Sequence, residues 1–174
     1  MRKKTRLIFI RRLLFVVIIV LVNLLQNTRE AFFEPFGVRA FLLIPLVVSI
    51  GMFERSYAGA LLGILAGALW DSVSVYWDGY NALFMMLIAV SCGMLISVLM
   101  RNHLVTAMIL STAACLMYSV SYVLFFVVAR GLDSADYLMF RYYLPAAVYS
   151  IVFTPLFYLL VRAITRATTL EEAY

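Results

Sequence analysis

The sequence predicts an all-α integral membrane protein, a bundle of six transmembrane helices, and three observations carry that prediction. Apolar residues make up 66% of the chain and charged residues only 13%, with a mean hydropathy of +1.02. Soluble domains are roughly 45 to 50% apolar and about 25% charged, and one of this size cannot hide so much apolar surface. The apolar residues fall into six runs separated by short polar turns, and the charges cluster at the ends of those runs. At about 20 residues per crossing, a chain of 174 residues accommodates six crossings and leaves no room for a soluble domain, so residues 1–174 read as one six-helix membrane domain.

The first helix is expected over about 13–28. A basic segment ending Arg11-Arg12 precedes the apolar run Leu13 to Val22, the layout of a secretory signal. No small-x-small cleavage site follows, only Asn23, Leu24-Leu25 and Gln26-Asn27, so an uncleaved helix is expected. Asn23 is its buried polar residue, of the kind that bonds to a neighbouring helix. Between Arg29 and Gly37, Pro35 disfavours helix at Glu34 and a short loop is expected. The second helix is expected over about 38–53, short for a crossing, with a kink at Pro45 and with Arg39 and Arg55 snorkelling at its ends.

The third helix, about 57–75, carries the most distinctive pattern. Gly59, Gly63, Gly67 and Asp71 recur at every fourth position, so three residues without side chains and one carboxylate share a stripe. The exit Tyr76-Trp77-Asp78-Gly79-Tyr80-Asn81 combines interfacial aromatics with an Asp-Gly turn, which predicts a tight hairpin into a fourth helix over about 82–100. The turn Arg101-Asn102-His103 leads to a long fifth helix, about 104–129. After a polar loop from Arg130 to Arg141 comes the sixth, about 142–161, with Pro145 near its start and Pro155 deeper, where it predicts a kink.

Six crossings place both termini on one side of the membrane. Ten of the 14 basic residues then fall on that side, and only Arg29, Arg39, Arg130 and Arg141 on the other. The positive-inside bias therefore predicts cytoplasmic termini and an acidic, aromatic outer face. The net charge of +5 does not point to nucleic acid, because the cations are dispersed rather than gathered on one surface. Cys92 and Cys115 lie inside apolar runs, where they behave as small apolar residues.

Catalytic and metal-binding signals are lacking in the sequence. The one histidine, His103, has no carboxylate or thiol at ligand spacing, and there is no phosphate-binding glycine loop or nucleophile elbow. A non-enzyme without cofactor is expected. Asp71 lies 4 to 5 residues past the middle of its helix, roughly 7 Å toward the outer surface. It is buried in hydrocarbon and near a helix C-terminus, where the macrodipole disfavours an anion, so it requires a partner. Arg39, Arg130 and Arg141 are the cationic candidates, with Ser72 and Ser74 as hydroxyl ones. The stripe has two readings: packing of a central helix within the chain, or a docking face for a partner's membrane helix. An ion relay usually needs several intramembrane ionisable groups, and here there is one.

The pattern Gly59-x-x-x-Gly63-x-x-x-Gly67-x-x-x-Asp71, followed by Asp78-Gly79-Tyr80-Asn81-Ala82-Leu83 and a helix containing Gly93, resembles the central signature of the MreD family, bacterial rod-shape-determining membrane proteins. The close part covers about 59–100. The resemblance implies a scaffold subunit of the lateral cell-wall elongation machinery in the cytoplasmic membrane. It also implies an MreC-type partner, with MreB and the RodA and penicillin-binding-protein synthase pair nearby. The alternative is a substrate-binding subunit of an energy-coupling-factor vitamin transporter, which is similar in size and six-helix layout. Those subunits typically present an Ala-x-x-x-Ala type face on their first helix, whereas Leu13 to Leu25 contains no small-xxx-small pair. A small-molecule ligand is not expected on the scaffold reading. Lipid-linked precursor flipping finds thin support in an interior whose polar residues are Asn23, Asp71 and scattered Ser, Thr and Tyr.

Overall fold

The structure, a computed structural model, describes residues 2–28, 38, 40–54, 57–74, 79–125 and 135–170. The described residues are helical throughout their ordered elements, with no strand among them. In chain order these are α1 (Arg2–Asn27), α2 (Leu43–Phe53), α3 (Tyr57–Asp71), α4 (Tyr80–Val98), α5 (Leu104–Val123), the short α6 (Ala135–Leu138), a π-helical turn (Met139–Tyr143), α7 (Leu144–Val152) and α8 (Thr154–Leu170).

Among the described residues, three helices are long and apolar enough to cross a membrane: α1 from Arg6 to Asn27, α4 and α5. The segments Met139–Val152 and Thr154–Thr169 pass together as a fourth span, bent by 42°. The break at Phe153 falls two residues before Pro155, which has no N–H for the helix ladder, and the Phe153 amide donates instead to the Ser150 carbonyl at 3.1 Å. The kink expected from Pro155 is therefore present. By length, α2 and α3, at 11 and 15 residues, fall short of full crossings, since at about 1.5 Å per residue neither covers a core about 30 Å thick.

The kink expected at Pro45 is absent for a simple reason. The second helix starts at Leu43 rather than 38, so Pro45 is its third residue, within the first turn, where a missing N–H breaks no internal bond. The last helical stretch begins at Ala135 and runs to Leu170, longer at both ends than the 142–161 expected. The first begins at Arg2, so the basic segment is a continuation of the membrane helix.

The centre of the bundle is α2, not α3. Every residue from Leu43 to Met52 is buried, as expected of a helix apolar on all sides. Around it, α3 buries one face, and α1, α4 and α5 leave Leu13, Val17, Met94, Ile109 and Met117 exposed. In a bilayer such side chains meet lipid tails or the membrane helix of a partner.

Polar contacts tie the helices at both ends of α2. At its start, Gln26 Oε1 accepts the Leu43 amide at 3.1 Å and Ser150 Oγ accepts the Phe41 amide at 2.6 Å. At its finish, the buried Glu54 carboxylate lies 2.6 Å from Arg11 Nε and 3.9 Å from Arg12 Nε. There also Asn102 Nδ2 donates to the Met52 carbonyl, and the Tyr158 hydroxyl donates to the Asn102 carbonyl, both at 3.2 Å.

Candidate functional site: the α3–α4 hairpin

The glycine stripe faces helices of its own chain. A Cβ on Gly63 would stand 2.7 Å from the Met85 carbonyl oxygen on α4, and one on Gly59 would stand 2.6 Å from the Glu54 carbonyl oxygen. At Gly67 the added atom would overlap the backbone of Asn81 and Ala82. Gly51 on α2 repeats the device, at 2.7 Å from the Ala89 carbonyl oxygen on the same α4. Three glycines on two helices thus let backbones approach α4 more closely than any side chain would permit, the mode by which membrane helices gain dense van der Waals contact.

That close approach positions Asp71, one turn beyond Gly67. Its Oδ1 accepts the Asn81 amide at 3.2 Å and its Oδ2 accepts the Ala82 amide at 3.0 Å. These are the second and third residues of α4, whose first-turn amides have no partner inside their own helix. The N-cap position of α4 is Gly79, which adopts φ 68° and has no side chain with which to cap. Asp71 supplies the cap from the preceding helix. The positive end of α4 also offsets the two penalties on the carboxylate, burial to 7% exposure and the unfavourable end of its own helix.

Asn81 extends the network. Its buried side-chain Oδ1 accepts the Tyr118 hydroxyl at 2.9 Å, which ties α5 to the hairpin. The Tyr118 ring lies among Phe41 (5.1 Å between centroids), Trp70 (5.2 Å), Phe84 (5.2 Å) and Tyr122 (5.7 Å). Beside it the hydroxyls of Tyr80 and Ser121 share a 2.6 Å hydrogen bond. Asn23 on α1 reaches the Leu69 carbonyl at 3.5 Å, a weak contact at the same end of α3.

Of the residues singled out by sequence, the structure brings Gly63, Gly67, Asp71 and Asn81 together at one helix–helix seam, with Gly59 at its far end and Gly79 at the turn. Asp78, Arg39 and Arg130 lie outside the described residues. Arg141 is exposed, and no ion pair among the described residues joins a cation to Asp71. Asp71 finds its partners in backbone amides, and Ser72 and Ser74 bond back to the Ala68 and Trp70 carbonyls. Tyr118, Gln26 and Ser150 were not anticipated. A glutamine within an apolar run is a legible signal for an interhelical bond, whereas nothing distinguishes Tyr118 in sequence from the many interfacial aromatics. Among the described residues no group of three or more His, Cys, Asp or Glu could hold a metal ion.

The fold and this seam define a helical membrane protein whose buried polar groups join helix to helix. The sequence matches the family described as rod shape-determining protein MreD over residues 7–168, nearly the whole chain. The chain therefore belongs to the MreD family, membrane proteins of rod-shape determination, a family known for its part in cell shape and not for catalysis. No curated protein and no solved structure gives a significant match, so the likeness in layout to energy-coupling-factor subunits gains no support.

Proposed function

We propose that this chain is a non-catalytic scaffold subunit of the cell-wall elongation machinery in the bacterial cytoplasmic membrane. It crosses the membrane six times with both termini cytoplasmic, α2 and α3 being short crossings at a locally thinned bilayer. It acts through helix and loop contacts with an MreC-type protein, and through it with MreB and the RodA and penicillin-binding-protein synthase pair. The observation that carries the reading is the use of the buried carboxylate. Both Asp71 oxygens are engaged by α4 amides, so the group is arranged to hold a hairpin and not to exchange protons or ligands. Membership of the MreD family adds the cellular process.

With the stripe turned inward, the surface left for partners is elsewhere. The apolar face of α1, with Phe9, Leu13, Val17, Leu21 and Leu24 exposed, belongs to this surface. The hairpin end faces the outside, where it receives the membrane-proximal part of an extracytoplasmic partner. The test is gentle detergent extraction of the tagged chain from a rod-shaped host, followed by identification of what comes with it. MreC-type and synthase proteins are expected. An ATPase with a coupling subunit in their place would overturn the proposal. Asp71→Asn is expected to insert normally yet to reduce recovery of the complex, and normal cell shape with full recovery would remove Asp71 from the argument.

A further inference from the structure

The bent span carries a feature that the scaffold reading does not use. Along α7 runs an apolar groove of about 490 Å³, lined by residues that include Val38, Phe140, Leu144, Pro145, Val148 and Val152. Its size falls within the roughly 300 to 1,000 Å³ of small-ligand sites. Pro145, Val148 and Val152 form one stripe of the helix, and Arg141, one turn earlier, falls on the same face whether the intervening turn has α or π spacing. Arg141 is not itself a lining residue, but it follows Phe140 directly and precedes Pro145 by one turn, and both of these line the groove. Arg141 is exposed and has no ion-pair partner among the described residues. Around it Tyr137, at 63% exposure, and Phe140, at 73%, are placed as interfacial aromatics.

We propose that this groove and Arg141 form a binding site for an anionic phospholipid of the surrounding bilayer, one acyl chain along Leu144–Val152 and the phosphate on the Arg141 guanidinium. The chemistry selects this occupant over a partner's helix. The groove is lined by residues from Phe140 to Val152 together with Val38, and its volume suits a small ligand or a single acyl chain rather than a helix. A lipid-facing cation at headgroup depth is also stabilised by a phosphate, which the planar guanidinium can engage through two hydrogen bonds. An apolar helix laid in the groove would bring no counter-charge to Arg141, whereas a lipid phosphate brings one.

The test is native mass spectrometry of the full chain in mild detergent, offered equimolar dioleoyl phosphatidylglycerol and dioleoyl phosphatidylcholine. Wild type is expected to retain the anionic lipid about fivefold more, the effect of one basic residue near the membrane surface. Arg141→Gln is expected to abolish that preference, and Arg101→Gln, at the opposite end of the bundle, to preserve it. Val148→Trp, which fills the groove from an exposed position, is expected to reduce retention of both lipids. Equal retention of the two lipids by wild type, or an unchanged preference in Arg141→Gln, would overturn the proposal whatever the behaviour of the Val148 variant. Displacement of phosphatidylglycerol by equimolar undecaprenyl phosphate would overturn the assignment to a bulk phospholipid.

Discussion

Gly67→Ala is the smallest change that tests the hairpin seam. In an open helix this substitution stabilises by about 1 kcal/mol, because glycine is the poorer helix former. Here the added methyl meets the backbone of Asn81 and Ala82, which cannot rotate aside as a side chain would. The ends of α3 and α4 must separate, and overpacking of this kind costs about 1 to 3 kcal/mol. Separation also stretches the two bonds from Asp71, now at 3.0 and 3.2 Å. Interhelical hydrogen bonds in membranes average roughly 0.6 and reach about 1.7 kcal/mol, and a buried carboxylate acceptor belongs near the upper value, so losing both costs about 3 kcal/mol. The balance is a destabilisation of about 4 kcal/mol, opposite in sign to the helix-propensity effect. The assay is unfolding of the purified protein in mild detergent, followed through tryptophan fluorescence in a Trp77→Phe background, so that the signal reports Trp70, which stacks on Tyr118 at this seam. Leu61→Ala, at an exposed position on the same helix, serves as control and is expected within about 0.5 kcal/mol of wild type. A Gly67→Ala protein as stable as that control would refute the close-approach argument.

Tyr118→Phe removes only the hydroxyl that donates to Asn81 and is expected to cost about 1 kcal/mol in the same assay with the aromatic packing retained. Glu54→Ala leaves Arg11, whose side chain is 19% exposed, without its counter-charge. A loss of about 3 kcal/mol is expected in denaturation measurements, with partial recovery in the double variant Glu54→Ala/Arg11→Met. Gly67→Ala and Asp71→Asn act on one seam, so their effects are expected to be non-additive by about 1 kcal/mol or more in a double-mutant cycle. Additive losses would mean that the glycine approach and the carboxylate cap are independent.

Local features were the most legible in the sequence. The Gly79 turn, the glycine spacing of α3 and the break near Pro155 each depend on a few neighbouring residues with strong backbone preferences. Burial order was less so. The uniform apolarity of Leu43 to Met52 was visible, yet in a membrane chain every helix is apolar, and the pattern that marks a central helix in a soluble protein loses contrast. Pro45 was misread because its effect depends on where the helix starts, and one turn's difference converts a kink into a favourable first-turn residue. A sequence displays side chains, so the candidate partners of Asp71 it offers are Arg39, Arg130, Arg141, Ser72 and Ser74, of which Arg39 and Arg130 lie outside the described residues. Backbone amides at a helix start carry no label, and they become partners only when glycines bring two helices close enough.

That dependence joins the glycines and the aspartate in one device. Without the close approach at Gly67, Asp71 would lie near the negative end of α3 without the two α4 amides that are its donors among the described residues. Without the carboxylate, the α4 start would present free amides at a position where Gly79 offers no cap. Each element supplies what the other lacks, and both belong to consecutive helices joined by a short link, so the seam can form from local contacts alone. The bond between Asn81 and Tyr118 then ties the hairpin to α5. The α7–α8 span is built differently, with a 42° break and a neighbouring π turn.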